Sequence, residues 1–216
     1  MGQSSKSTSD TTGYYNQNAQ EYVQETLSLD LTTLYAPFLE YLPSKGKILD
    51  AGCGSGRDTL YFREKGFTVV PFDPSSELVR IASEITRDTV LLMSFQELEF
   101  KDEFDGIWAC SSLLHVPKVE IDDVVARISR ALKAGGILYT SFKYGEGEVV
   151  SGARFFNNYT EDSFSLLLKN HPSLRVVKMW KTEDVRVDRK GEYWLNALVE
   201  KTTPPFHKSV MIPKSQ

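Results

Sequence analysis

Residues Asp50-Ala51-Gly52-Cys53-Gly54-Ser55-Gly56-Arg57-Asp58 set three glycines at alternate positions directly after the apolar run Ile48-Leu49. Glycine has no Cβ, so such a loop turns tightly and lets its backbone approach a ligand closely. A helix predicted just beyond it, over 59–65, adds partial positive charge and free N–H groups at the same spot. A second feature is Asp73, which follows an apolar run over 67–72. A carboxylate at that place accepts both hydroxyls of a ribose in nucleotide-binding α/β folds. The plain alternatives are a tight strand-to-helix turn and a surface Asp-Pro turn. Taken together, the two features point to a nucleoside ligand.

The spacing narrows the kind of nucleoside. A dinucleotide site uses G-x-G-x-x-G, so that a helix N-terminus holds the pyrophosphate. Here the pattern is G-x-G-x-G, preceded by Asp50. An acid at the end of the first strand repels a pyrophosphate and suits an ammonium group. S-adenosylmethionine carries an ammonium, a carboxylate and a sulfonium, with no phosphate. The pattern therefore favours S-adenosylmethionine over NAD and disfavours an NAD-dependent reductase.

The elements that must hold these residues alternate along the chain. Strands are predicted over 47–51, 67–72, 90–93, 104–110 and 137–142, with helices over 59–65, 75–85 and 119–132 between them. Ser75 or Ser76 is the expected cap of the second of these helices, and Ala134-Gly135-Gly136 the glycine stop of the third. A further helix over 160–168 precedes two strands, 174–182 and 194–201. Strands alternating with helices predict a doubly wound, seven-stranded, mostly parallel α/β sheet with an antiparallel last strand at its edge. Residues 14–43 read as one or two helices ahead of the sheet, closed by Pro37 and Pro43. Residues 1–13 are small and polar and read as disordered, and 202–216 as a tail. One domain is therefore expected over 14–201, in keeping with a length of 216 residues.

Composition bounds the partners. Formal net charge is −4, and 25% of residues are charged. That disfavours nucleic acid, which usually meets a basic stripe. Lys169, Arg175, Lys178 and Lys181 are followed at once by Glu183 and Asp184 and read as a mixed, solvated surface. Cys53 and Cys110 make no disulfide framework or zinc spacing and read as small buried residues. The run Gly145-Glu146-Gly147-Glu148 lacks a partnering His and reads as a solvated loop, so no metal is expected. The start matches the loose form of an N-myristoylation signal at Gly2, a pattern that Ser-rich starts meet by chance. With no apolar leader and no membrane-length run, the expected compartment is the cytoplasm, without a membrane partner.

The segments ILDAGCGSGRDT, VVPFDPS, SFQEL, FDGIWACSSLLHV and LKAGGILYTSFK, in this order over roughly 45–145, resemble the class I S-adenosylmethionine-dependent methyltransferases. The endings RFFNNYTEDSFSLLL and EYWLNALVEK resemble a small-molecule, tellurite-resistance-like branch. The resemblance implies a Rossmann-like methyltransferase fold and S-adenosylmethionine as cofactor. It implies that Gly52, Cys53 and Gly54 pass the methionine part, with Asp50 toward its amino group and Arg57 near its carboxylate. Asp73 would hold the ribose, and Pro74 would pack near the adenine. Ser94 and Phe95 would lie along the adenine ring, with Gln96 at its edge, where the family often has an acid. Ala109 and Cys110 would line the sulfonium side. Tyr14-Tyr15-Asn16 and Tyr22 look like the cap helix that closes over the cofactor.

Methyl transfer needs alignment and exclusion of water, because the sulfonium already activates the carbon. A base is required only for an acceptor that holds its proton, and His115 is the candidate; its alternative is a packed or capping histidine. After the fifth strand, Tyr144, Arg154, Phe155, Phe156 and Tyr159 are candidates for a lid that clasps an aromatic or anionic acceptor, and Tyr22 is a further candidate to bind it. Helix-to-sheet packing is the other reading of these aromatics. Trp194 reads as core before substrate wall. Ala109-Cys110-Ser111-Ser112 lacks the Asn/Asp-Pro-Pro-Tyr/Phe motif of base amino methylation, and neither Cys has the Pro-Cys context of cytosine C5 methylation. The function expected is methyl transfer to a small-molecule oxygen, nitrogen, sulfur or chalcogen. Transfer to tRNA or protein, and cofactor binding without catalysis, are the alternatives.

Overall fold

Side chains of the central strands feed two opposite faces, as the two-residue period of a strand requires. In β1 (Lys47–Ala51), β4 (Phe104–Ala109) and β5 (Leu132–Lys143), the residues Leu49, Ile107 and Leu138 join one buried cluster, while Ile48, Trp108 and Tyr139 join another. The first cluster takes in α6 (Lys118–Ala131) and α7 (Glu161–Leu168); the second takes in α3 (Thr32–Leu39) and α4 (Arg57–Glu64). Strands covered on both faces read as continuous apolar runs, which is why their sequences lack alternation. The structure, a computed structural model, describes residues 4–202.

The seven-stranded sheet has the order β3 (Leu91–Leu92), β2 (Thr68–Asp73), β1, β4, β5, β9 (Tyr193–Lys201), β8 (Leu174–Glu183). β1 runs parallel to β2 and β4, and β4 parallel to β5; β9 is antiparallel to both β5 and β8. The antiparallel strand is the last in the chain, as expected, but it lies one place inside the edge that β8 forms. The winding reverses between β1 and β4, and that reversal opens a crevice at their carboxyl ends.

Several boundaries differ from the sequence reading. The polar start is helical: α1 (Ser4–Gln17) takes in most of the segment read as disordered, while residues 1–3, with Gly2, lie outside the described residues. Docking rather than propensity orders it, for Thr11 is buried and its hydroxyl accepts the Phe155 N–H at 2.9 Å. α2 (Ala19–Thr26) and α3 follow, so three helices precede the sheet. Ser75 is the cap of α5 (Ser76–Thr86), its hydroxyl accepting the Leu78 N–H at 3.2 Å. α6 ends at Ala131, and Gly135 and Gly136 belong to β5, where residues 133–136 bulge out between the register pairs Phe104–Leu132 and Gly106–Ile137. The run read as a loop at 145–148 leads into a hairpin, β6 (Gly147–Ser151) and β7 (Arg154–Asn158). Of the expected tail, residues 203–216 lie outside the described residues. No helix among the described residues is long and apolar enough to cross a membrane.

Candidate functional site

The glycine loop leaves β1 and folds back under β2. Gly52 and Cys53 both donate their N–H groups to the Phe72 carbonyl at 2.9 Å. Gly52 has φ +75°, and a Cβ there would sit 2.5 Å from that of Ser112. Gly54 has φ +53°, and its Cβ would come within 3.0 Å of the Tyr22 ring. Neither position takes a side chain without displacing a wall of the site.

Beyond the loop lies a cavity of about 470 Å³, in the size range of small-molecule sites. Gly52, Gly54, Asp73, Pro74, Ser94, Phe95 and Gln96 line it, as do Tyr15 and Tyr22 from the cap helices. Asp73 accepts the Gly54 N–H at 3.0 Å and the Ser75 N–H at 2.9 Å. Burial pushes its carboxyl up to about 6, against the pull of those two bonds. Gln96 donates its amide N–H to Glu120 Oε2 at 2.7 Å, which fixes the amide and brings an acid from α6 to the cavity wall. The lining therefore holds two carboxylates, Asp73 and Glu120, and among the described residues no lysine or arginine.

Other residues expected at the cofactor stand elsewhere. Asp50 is buried beneath the loop, accepts the Thr59 hydroxyl at 2.5 Å, and lines neither this cavity nor the second one described below. Burial, with the Asp58 carboxylate next, raises its carboxyl well above the usual range. Cys53 and Ala109 are also buried away from both cavities. Arg57 turns to Asp58, with bonds of 2.6 and 2.9 Å, and to the Thr26 carbonyl at 3.2 Å. Asp58 in turn accepts from the Tyr35 hydroxyl at 2.5 Å and the Trp108 indole at 2.8 Å, so these donors hold it ionised inside the protein. Arg57 and Cys110 face a second cavity instead. Burial pushes the Cys110 thiol up to about 12, which leaves it unreactive.

That second cavity, of about 120 Å³, shares Tyr15, Tyr22, Ser111 and His115 with the first. Ser111, just past β4, holds a left-handed backbone at φ +52°, tied by its N–H to the Ser141 hydroxyl at 2.8 Å. Such strain in a non-glycine residue persists where neighbours enforce it, often at functional sites. His115 stands between the cavities with both ring nitrogens engaged. Nδ1 donates to the Phe155 carbonyl at 2.7 Å, so Nε2 keeps its lone pair and accepts the Tyr15 hydroxyl at 3.0 Å. Burial pushes the imidazole down to about 4, which leaves it neutral at physiological pH.

Of the lid candidates, Arg154 and Phe156 line the second cavity. Phe155 contributes only its backbone, to His115 and Thr11. Tyr144 points to Glu161, at 3.0 Å, and lines neither cavity. Tyr159 is buried against Phe142 and Phe164 and is core. Trp194, read as core, reaches the second cavity and donates its indole N–H to Asp184 at 3.0 Å. Sequence reasoning missed Thr11, Thr12, Ser112 and Glu120 in the first cavity. Thr11 and Thr12 fall in a polar stretch, and Glu120 looks like any acid in a helix's first turn.

An open, mostly parallel sheet with a cavity at its reversal point, walled by Asp73 at the end of β2, defines an α/β protein with a ligand site where such sheets bind nucleosides. Comparisons with known proteins agree and go further. A family profile for a methyltransferase domain matches residues 48–136. An uncharacterized methyltransferase of Staphylococcus carnosus is 31% identical over 142 residues, covering 62% of this chain and 69% of its own length. A Bacillus subtilis chain named as a methyltransferase, YqeM, is 33% identical over 116 residues, 49% of this chain; the match spans 47%, about half, of that relative. The crystal structure of Burkholderia thailandensis 1,6-didemethyltoxoflavin-N1-methyltransferase, with 1,6-didemethyltoxoflavin and S-adenosylhomocysteine bound, superimposes with a TM-score of 0.73 at 25% identity, over 91% of this chain and 87% of that one. The chain belongs to the class I S-adenosylmethionine-dependent methyltransferases. The tellurite-resistance-like branch is a finer assignment than these matches make.

Proposed function

We propose that this protein transfers a methyl group from S-adenosylmethionine to a small-molecule acceptor. The observation that carries the reading is Asp73, a buried carboxylate on the cavity wall at the end of β2, the place where open α/β sheets take a ribose. An acid there suits a ligand with net positive charge better than a pyrophosphate. Asp73 would take the ribose hydroxyls on its remaining lone pairs. Phe95 and Pro74 would flank the adenine, and Gln96 with Glu120 would meet its amino edge. The toxoflavin-precursor enzyme, which acts on a small heterocycle, supports the acceptor class.

When bound, S-adenosylmethionine supplies an electrophilic methyl carbon. The chain supplies closure and a path for the acceptor's proton. Tyr15 touches both cavities and already donates to His115 Nε2. As the acceptor gives up its proton to the Tyr15 oxygen, Tyr15 passes its own to Nε2, and the Phe155 carbonyl steadies the resulting imidazolium through Nδ1–H. His115 is thus a base reached through Tyr15.

Calorimetry tests the reading. S-adenosylhomocysteine is expected to bind at one site per chain and NADH to give no heat. Binding of NADH with no response to S-adenosylhomocysteine would overturn it.

A further inference from the structure

The two cavities that meet at Tyr15, Tyr22, Ser111 and His115 differ in their charged residues. The first has acids and no lysine or arginine among the described residues; the second is lined by five cations, Arg57, Lys143, Arg154, Arg186 and Arg189, against Glu183 and Asp184. Most of these cations are already answered. Arg57 pairs with Asp58, Lys143 with Glu192 at 2.7 Å, and Arg186 with Asp184 at 2.7 Å; Arg189 has Asp188 at 3.9 Å. Arg154 is different, having no carboxylate partner among the described residues. Its guanidinium lies 4.8 Å from the Tyr14 ring centroid and 5.4 Å from that of Phe156. It also faces the Tyr15 hydroxyl and His115, next to the wall that the cavities share. Stacking of this kind orients a guanidinium while leaving its charge unneutralised.

Resting on the cofactor reading above, we propose that the second cavity receives the acceptor and selects a single-ring compound that reacts as an anion, a phenolate or a deprotonated ring N–H, with Arg154 as its counter-ion. Size sets the single ring: the 120 Å³ cavity is close to the roughly 150 Å³ that holds one benzene in a protein core. Phe156, Trp194, Leu31 and Leu34 in its lining supply apolar surface for a ring. Position sets the charge, because Arg154 lines this cavity and faces Tyr15 and His115, two of the four residues that the cavities share. The step balances: the acceptor's proton leaves through Tyr15 to His115, the new bond to carbon forms from the acceptor's electron pair, and the C–S pair stays on sulfur as the neutral thioether. An acceptor that enters ionised skips the proton transfer and keeps the need for Arg154.

The test uses 4-nitrophenol, whose phenolate is yellow, and its O-methyl ether 4-nitroanisole, which cannot ionise, each titrated into the full chain saturated with S-adenosylhomocysteine. Expected for the wild type is binding of the phenolate about 10- to 100-fold tighter than the anisole. The bound phenol should ionise about 1 to 2 pH units lower than the free one, read at the phenolate absorbance. Arg154→Met should abolish both effects and leave S-adenosylhomocysteine affinity unchanged, which also reports that the variant folds. Arg154→Lys should retain most of the preference. Equal binding of the two probes, binding of neither, or a preference that persists in Arg154→Met overturns this proposal and leaves the cofactor reading standing. Failure to bind S-adenosylhomocysteine removes the cofactor reading, and this proposal falls with it.

Discussion

Cofactor affinity should depend on the ionisation of one buried carboxyl. Asp73 is the last residue of β2, buried to 6% exposure, and both of its oxygens accept backbone N–H bonds. Burial outweighs those bonds and holds the carboxyl near 6. Only the ionised form can accept two ribose hydroxyls as well, so the competent state is lost as pH falls through that value. With an ionised fraction of about 0.9 at pH 7 and about 0.1 at pH 5, apparent affinity for S-adenosylhomocysteine should weaken roughly tenfold, or about 1.4 kcal/mol. The assay is calorimetry at half-unit steps from pH 8 to pH 5, repeated on Asp73→Asn. The variant should bind weakly throughout and lose the inflection near 6. A flat wild-type profile, or an inflection that survives in Asp73→Asn, would refute the placement of the ribose on this carboxylate.

Asp58→Ala should destabilise the fold by about 3–5 kcal/mol, since it leaves Arg57 buried beside unanswered Tyr35 and Trp108 donors; urea unfolding reads this directly. Gly52→Ala must move Ser112 and strain a left-handed backbone, so a loss of at least about 2 kcal/mol is expected, with weakened cofactor binding by calorimetry. His115→Ala should lower turnover by about 10²- to 10⁴-fold for a protonated acceptor, far more than it weakens S-adenosylhomocysteine binding; unchanged turnover removes the imidazole from the reaction. At saturating cofactor, turnover should stay level as pH falls through 6.5, because burial, with Arg154 of β7 and Lys143 of β5 facing the ring, keeps His115 neutral down to about 4. A drop centred at 6.5 would contradict that environment.

The sheet was legible because strands buried on both faces announce themselves as apolar runs, and because the glycine loop marks where the first of them ends. Asp73 was legible by the same logic, as the acid that closes the second run. Side-chain direction was not. Arg57 follows the glycines in sequence yet bends away to Asp58, and Asp50 is drawn down to Thr59. Spacing along a chain says nothing about a partner that arrives from another element. Glu120, brought by α6 to the amide of Gln96, is the plainest case. The polar start of α1 differs for a related reason: at Thr11 the helix docks onto β7, a contact between residues far apart in the chain. Aromatics of the β6–β7 region divided by the direction of their strand, with Phe156 turned to the cavity and Tyr159 to the core.

Three residues of α1 fasten it to three different parts of the molecule: Thr11 to β7, Tyr15 to His115, and Asn16, whose Oδ1 accepts the Ser75 hydroxyl at 2.7 Å, to the start of α5. The helix is therefore a common wall, because Tyr15 lines both cavities. Ligands that filled both chambers would be coupled through it. Whatever factor the first ligand adds to the affinity of the second, the second returns to the first.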